Sequence, residues 1–98
     1  MKMQSALEFA ADHPVFAGHF PGFPVVPGAV LLDEMLKAIE AARGINLLDW
    51  QVSSAKFLSV VRPRDALVLE HERTAPGSIQ FTLRVDDRKV ASGMLHEF

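Results

Sequence analysis

Pro27-Gly28-Ala29-Val30-Leu31-Leu32-Asp33-Glu34-Met35-Leu36-Lys37-Ala38-Ile39-Glu40-Ala41-Ala42-Arg43-Gly44 holds the one helix that this sequence offers. Pro27 stands at its start and Gly44 just past its end, the asymmetry expected of a helix. The spacing predicts a helix over about Ala29 to Arg43. Leu31, Leu32, Met35, Leu36, Ile39 and Ala42 recur at helical spacing and make one apolar face. Asp33, Glu34, Lys37 and Glu40 fall on the other side. Asp33 lies near the N-terminal end, where the helix dipole favours a carboxylate.

Downstream the pattern changes to strands. Val52 to Val61 is rich in Val, Ser and Phe, and Arg62-Pro63-Arg64-Asp65 reads as a turn. Ala66 to Arg73 is the next strand, followed by a turn at Ala75-Pro76-Gly77-Ser78. Ile79 to Val85 alternates apolar and polar residues, so one face is buried and the other is wet. Asp86-Asp87-Arg88-Lys89 turns the chain into a last strand from Val90 to Phe98. Upstream, Ser5 to Ala10 is a further short strand. Three strands joined by short turns form an antiparallel meander, and a helix followed by a meander is an α+β pattern. A single helix covers only part of one sheet face, so a dimer is expected to bury more. His71 and His96, in strands beside charged residues, read as solvent-facing.

Between the first strand and the helix runs His13-Pro14-Val15-Phe16-Ala17-Gly18-His19-Phe20-Pro21-Gly22-Phe23-Pro24-Val25-Val26-Pro27-Gly28. Its four prolines and three glycines forbid a helix, yet it also holds three Phe and three Val. It reads as a rigid apolar loop that packs against something, and long ordered loops of this kind tend to carry function.

Ninety-eight residues make a single domain, residues 1–98. Apolar residues at 49% and charged residues at 22% exclude disorder, and a net charge of -2 excludes a strongly basic nucleic-acid binder. The absence of Cys removes disulfides, thiolate nucleophiles and Cys-based metal sites. Glu8 interrupts the N-terminus before an apolar core forms, against a signal peptide, and Phe23 to Leu32 is too short to span a bilayer. A cytoplasmic protein without membrane or nucleic-acid partners is expected.

Candidates for chemistry are few. His13, beside Asp12 and Pro14, reads as a turn residue. His19, between Gly18 and Phe20 in the apolar loop, has two readings. Desolvation would favour its neutral form and suit it as a general base, or it holds a backbone carbonyl and stiffens the loop. Asp33 is either a functional acid or a solvated carboxylate paired with Lys37. Gly28 is either a tight turn or a free backbone N–H at the positive helix end, able to polarise a carbonyl. There is no phosphate loop, dinucleotide fingerprint or Gly-x-Ser-x-Gly elbow, and no third ligand beside His13 and His19 for a metal. No cofactor is implied.

Gly18-His19-Phe20-Pro21-Gly22-x-Pro24-x-Val26-Pro27-Gly28, followed by Leu31-Leu32-Asp33-x-Met35, resembles the signature of the 3-hydroxyacyl-(acyl-carrier-protein) dehydratases. The match is strong over His13 to Met35. It extends more weakly through Lys56-Phe57 and Arg62-Pro63-Arg64-Asp65-Ala66-Leu67. The resemblance implies a hot-dog fold, a long helix wrapped by an antiparallel sheet. It implies dehydration of a 3-hydroxyacyl thioester to a trans-2-enoyl thioester in fatty-acid synthesis, and the short, divergent chain suggests a specialised branch that serves a polyketide-like or aryl-polyene pathway. Within it His19 matches the catalytic base, Asp33 the acid, and Gly28 the N–H that holds the thioester carbonyl. It further implies a homodimer in which His19 of one subunit meets Asp33 of the other; a dimer of dimers and a hot-dog heteromer stay open.

Phe16, Phe20, Phe23 and Val26 either line the acyl path or form plain core. Lys56, Arg62 and Arg64 are candidates for docking the acidic acyl carrier protein, or simple solvated charges. Two positions depart from the family pattern. Val26 replaces a Met, and Lys37 replaces a Gln four residues after the acid, where a cation would balance the charge of Asp33. The same scaffold also serves hot-dog thioesterases and non-catalytic acyl-binding subunits, which stand as the competing readings.

Overall fold

The helix forms as the spacing predicts. In a computed structural model that describes residues 2–9 and 26–98, α1 runs from Gly28 to Arg43. No side chain caps its start at Pro27. Its end is closed by Gly44, left-handed at φ 64 and ψ 29, whose N–H donates to the Glu40 carbonyl at 2.9 Å. Leu31, Met35 and Ile39 are fully buried and Leu32 and Leu36 partly so. Ala42, expected on the apolar face, is exposed instead: the covered stripe is narrower than the apolar one. No described helix is long and apolar enough to cross a membrane.

Five antiparallel strands make one sheet: β1 (Lys2–Leu7), β2 (Trp50–Phe57), β3 (Leu67–Ala75), β4 (Ser78–Val85) and β5 (Arg88–Glu97), in the order β1-β3-β4-β5-β2. The first strand begins and ends earlier than the sequence suggested. The meander is β3-β4-β5. The Val52–Val61 run behaves differently from its neighbours. It is a strand only as far as Phe57, and it pairs with β5 rather than with the strand that follows it. β3 has no free edge to offer, because β1 occupies it from Lys2↔Glu72 to Leu7↔Leu67. Residues 58–66 therefore cross from β2, at one edge of the sheet, to β3, which lies next to the edge strand β1 on the other side.

The inward-facing residues Leu67 and Leu69 of β3, Ile79, Phe81 and Leu83 of β4, and Ala91 and Leu95 of β5 join Leu31, Met35 and Ile39 in one core. Gly93 is required inside it. A Cβ there would lie 2.4 Å from the Ser54 carbonyl oxygen and 2.5 Å from Cζ of Phe81. The opposite sheet face is charged. On it Glu70 bonds Lys2 at 3.0 Å and Arg84 at 2.9 Å, and these bonds hold its carboxyl below the usual range.

His71 corrects the sequence reading. It follows Leu67 and Leu69 on the inner side of β3 and is 1% exposed. Its Nδ1 accepts from Nε of Arg43 at 2.8 Å, and Nη2 of Arg43 donates to the His71 carbonyl at 3.0 Å, tying the end of α1 to the sheet. Burial, and then the Arg43 charge, push the imidazole pKa down. The proton belongs on Nε2, which finds no acceptor among the described residues. His96 is half-buried, 3.0 Å from the Ser78 hydroxyl.

Candidate active site

The site is built around the start of α1. Gly28 is its first residue, and the helix offers no acceptor to an N–H in that position. The Phe57 ring, at the end of β2, covers it: a Cβ on Gly28 would meet ring carbons at 3.4 Å. Val26 is buried, and its N–H donates to the Val61 carbonyl at 2.8 Å. Asp33 follows five residues after Gly28, about 7.5 Å along the axis, on the side of α1 turned away from the core. Its Oδ2 lies 3.0 Å from Nζ of Lys37, which also stands 3.8 Å from Oε1 of Glu34. The hydrogen bond and charge of Asp33, with Glu34 adding, push the Lys37 ammonium pKa up.

The structure thus brings Gly28, Val26 and Asp33 to one end of the helix. His13 and His19, with Phe16, Phe20 and Phe23, lie outside the described residues. Lys56 is exposed on the helix-distal face of β2, across from Ser92. Arg62 and Arg64 are exposed in the 58–66 connection, and no described contact joins them to Lys56. Two residues escaped the sequence reading. In the sequence Phe57 stands only as half of the family-like Lys56-Phe57 pair, although an aromatic at a strand end is a candidate to cover a site. Arg88 read as one more turn charge, yet it bonds the Ser59 hydroxyl and, at 3.1 Å, the Val60 carbonyl.

Chemically, a helix-start N–H beside an aromatic ring is suited to polarise a carbonyl in a partly dry setting. A carboxyl group one and a half turns on can hold a hydroxyl when ionised and protonate it when it carries a proton.

Comparison with known proteins fixes the relationship. Dehydratase FabZ of Lactobacillus helveticus, a 3-hydroxyacyl-(acyl-carrier-protein) dehydratase, is 34% identical over 91 residues, covering 82% of this chain and 62% of the relative. FabZ of Thermotoga maritima is 31% identical over 91 residues, covering 84% and 66%. The chain therefore spans about two thirds or less of the length of these curated relatives.

Among solved structures, the dehydratase heterocomplex ApeI:P from Xenorhabdus doucetiae is similar at TM-score 0.77 and 21% identity, covering 97% of this chain and 85% of that one. The dehydratase domain of PpsC from Mycobacterium tuberculosis reaches 0.81 at 17% identity, covering 98% and 38%. The fluoroacetyl-CoA thioesterase FlK reaches 0.68 at 11% identity, covering 100% and 85%. The fold is the hot-dog fold, and dehydratases and thioesterases share it, so the fold alone does not choose the chemistry. The family model described as ApeI-like, ApeI dehydratase, matches residues 1–94, from β1 nearly to the end of β5. By that match the chain belongs to the ApeI-like dehydratase family.

Proposed function

We propose that this protein removes water from a 3-hydroxyacyl thioester carried on acyl carrier protein and leaves a trans-2-enoyl thioester. The observation that carries the reading is the family match across residues 1–94, which includes both His19 and Asp33. The reaction serves fatty-acid, polyketide or aryl-polyene-type synthesis in the cytoplasm. The C2 proton is weakly acidic. The Gly28 N–H and the α1 dipole stabilise the enolate-like charge that grows on the thioester oxygen. His19 takes the C2 proton. Asp33 holds the 3-hydroxyl and supplies the proton with which it departs as water, while the C2–H electron pair becomes the C2=C3 bond. Phe16, Phe20, Phe23 and Val26 line the acyl path, and Phe57 joins them beside Gly28.

The working unit is a homodimer or a larger hot-dog assembly, with His19 of one copy meeting Asp33 of the other. The exposed edge strand β2 supports this. Past Trp50 every residue of it is exposed, and Val52 and Phe57, with Leu58 and Val60 just beyond, offer apolar surface along that edge. The acidic acyl carrier docks on Arg62 and Arg64, with Lys56 contributing from the neighbouring face.

The test follows enoyl absorbance and thiol release together on short, medium and aryl 3-hydroxyacyl thioesters. Enoyl product without thiol release, lost in His19→Ala and Asp33→Asn, is the expected result. Thiol release would mean a thioesterase, and silence with retained acyl-carrier binding would mean a non-catalytic subunit. Arg62→Glu with Arg64→Glu should raise KM on the carrier-bound substrate, most at low salt, and leave a carrier-free thioester unaffected.

A further inference from the structure

The connection between β2 and β3 is tied into the fold at every turn. Leu58 and Ser59 donate backbone N–H groups to the Val90 carbonyl at 2.8 and 3.3 Å. The Val61 side chain is 1% exposed, and its carbonyl accepts from Val26 at 2.8 Å. The Arg62 N–H donates to the Asp65 carboxylate at 2.9 Å. Arg64 donates its N–H to the Phe9 carbonyl at 2.8 Å, and it does so at a φ of 65, a left-handed conformation that costs a non-glycine residue free energy.

Phe9 and Val26 are the described residues that bracket the segment bearing His19. Both are therefore bound to one short stretch, Val61 to Arg64. That stretch is gripped from outside. Arg88, the first residue of β5, donates through Nη1 to the Ser59 hydroxyl and the Val60 carbonyl, and its Nη2 stands 3.7 Å from the Asp65 carboxylate. A half-exposed arginine on a turn normally contributes little. This one spans a hydroxyl, a carbonyl and a carboxylate on both sides of Val61, a use of the planar fork that lysine cannot copy in full.

We propose that Arg88 is a positioning residue for the dehydration: by holding the connection on both sides of Val61 it fixes the backbone points from which the His19-bearing segment departs and to which it returns. The inference rests on the dehydratase reading above. It does not place Arg88 in contact with substrate.

The test compares the full chain with Arg88→Met and Arg88→Lys on a carrier-free 3-hydroxyacyl pantetheine thioester, so that docking plays no part. Misplacing a catalytic group by a fraction of an ångström costs about tenfold in rate or more. Arg88→Met should lower kcat by that much with KM nearly unchanged, and Arg88→Lys should restore part of it. Amide exchange gives an arm independent of activity. The Val26 and Arg64 amides should exchange faster in Arg88→Met while those of Met35 and Ile39 keep their wild-type rates. Unchanged exchange at Val26 and Arg64 overturns the proposal, and so does faster exchange with unchanged kcat. If wild type fails to dehydrate any substrate, the dehydratase reading falls, and the exchange arm alone decides whether Arg88 holds the connection.

Discussion

Substituting Gly93 by alanine tests whether the sheet really positions the site. The new methyl would stand 2.4 Å from the Ser54 carbonyl oxygen and 2.5 Å from Cζ of Phe81. Neither neighbour is a flexible chain end. One is the backbone of β2, and the other is a ring that is 1% exposed. Relief requires β2 to move away from β5 or Phe81 to leave its rotamer. Overpacking of this kind costs about 1–3 kcal/mol. With two rigid neighbours the upper part of that range is expected, and for a chain of this size it lowers Tm by about 10–20 °C.

The damage should reach the site. The β2–β5 register runs through Ala55↔Gly93 to Phe57↔Ala91, so a displaced β2 carries Phe57 off Gly28. Thermal unfolding by circular dichroism at fixed protein concentration measures the first effect. Fluorescence of Trp50, the single tryptophan and the first residue of β2, reports the second. A variant that melts within about 2 °C of wild type, with an unchanged Trp50 spectrum, would refute the argument.

Two further perturbations separate stability from function. The His71 pKa is held below its ordinary value of 6.5 in the folded chain, so its stabilising share is complete above that pH and is lost as pH falls below it. Urea denaturation of wild type between pH 7 and 5 should show a slope of at most about 1.4 kcal/mol per pH unit from this group, and His71→Gln should flatten it. Gly28→Ala places a methyl 3.4 Å from a half-exposed Phe57 ring that can give way, so Tm should hold or rise slightly while KM for the thioester increases several-fold.

What could be read from the sequence was what local chemistry decides. Pro27 and Gly44 bound the helix, and the 79–85 alternation set the β4 faces, because caps and the pleat act over a few residues. The partner of β2 was not legible. Nothing in Val52 to Val61 says that β1 has already taken the edge of β3, since that is a contact across more than sixty residues. His71 was misread for a related reason. Its charged sequence neighbours Glu70 and Glu72 point to the opposite face, and the partner that makes its burial tolerable, Arg43, comes from the far end of α1. At the site, spacing put Gly28 and Asp33 in the first turns of α1, and the roles proposed for them come from the resemblance. The role of the Val61–Asp65 stretch was not legible, because its binding to Phe9, Val26 and Arg88 is set by the tertiary crossing.

The Asp33–Lys37 pair shows how far a single copy explains the site. Both side chains are more than half exposed, and an i,i+4 pair in that setting adds little to stability. What it settles is direction. Side chains on a helix lean toward its N-terminus, so Asp33 leans toward the turn that begins at Gly28. Lys37, one turn the other way, engages Oδ2 and leaves Oδ1 without a partner among the described residues. Under the proposed dehydration, Oδ1 is the oxygen open to the substrate 3-hydroxyl. If a second copy covers this face, as in the proposed assembly, it removes water from the pair, and the attraction between the two charges grows as the local dielectric falls. In the proposed assembly Lys37 would hold Oδ2 and balance the charge that Asp33 carries once it has given its proton to the departing hydroxyl.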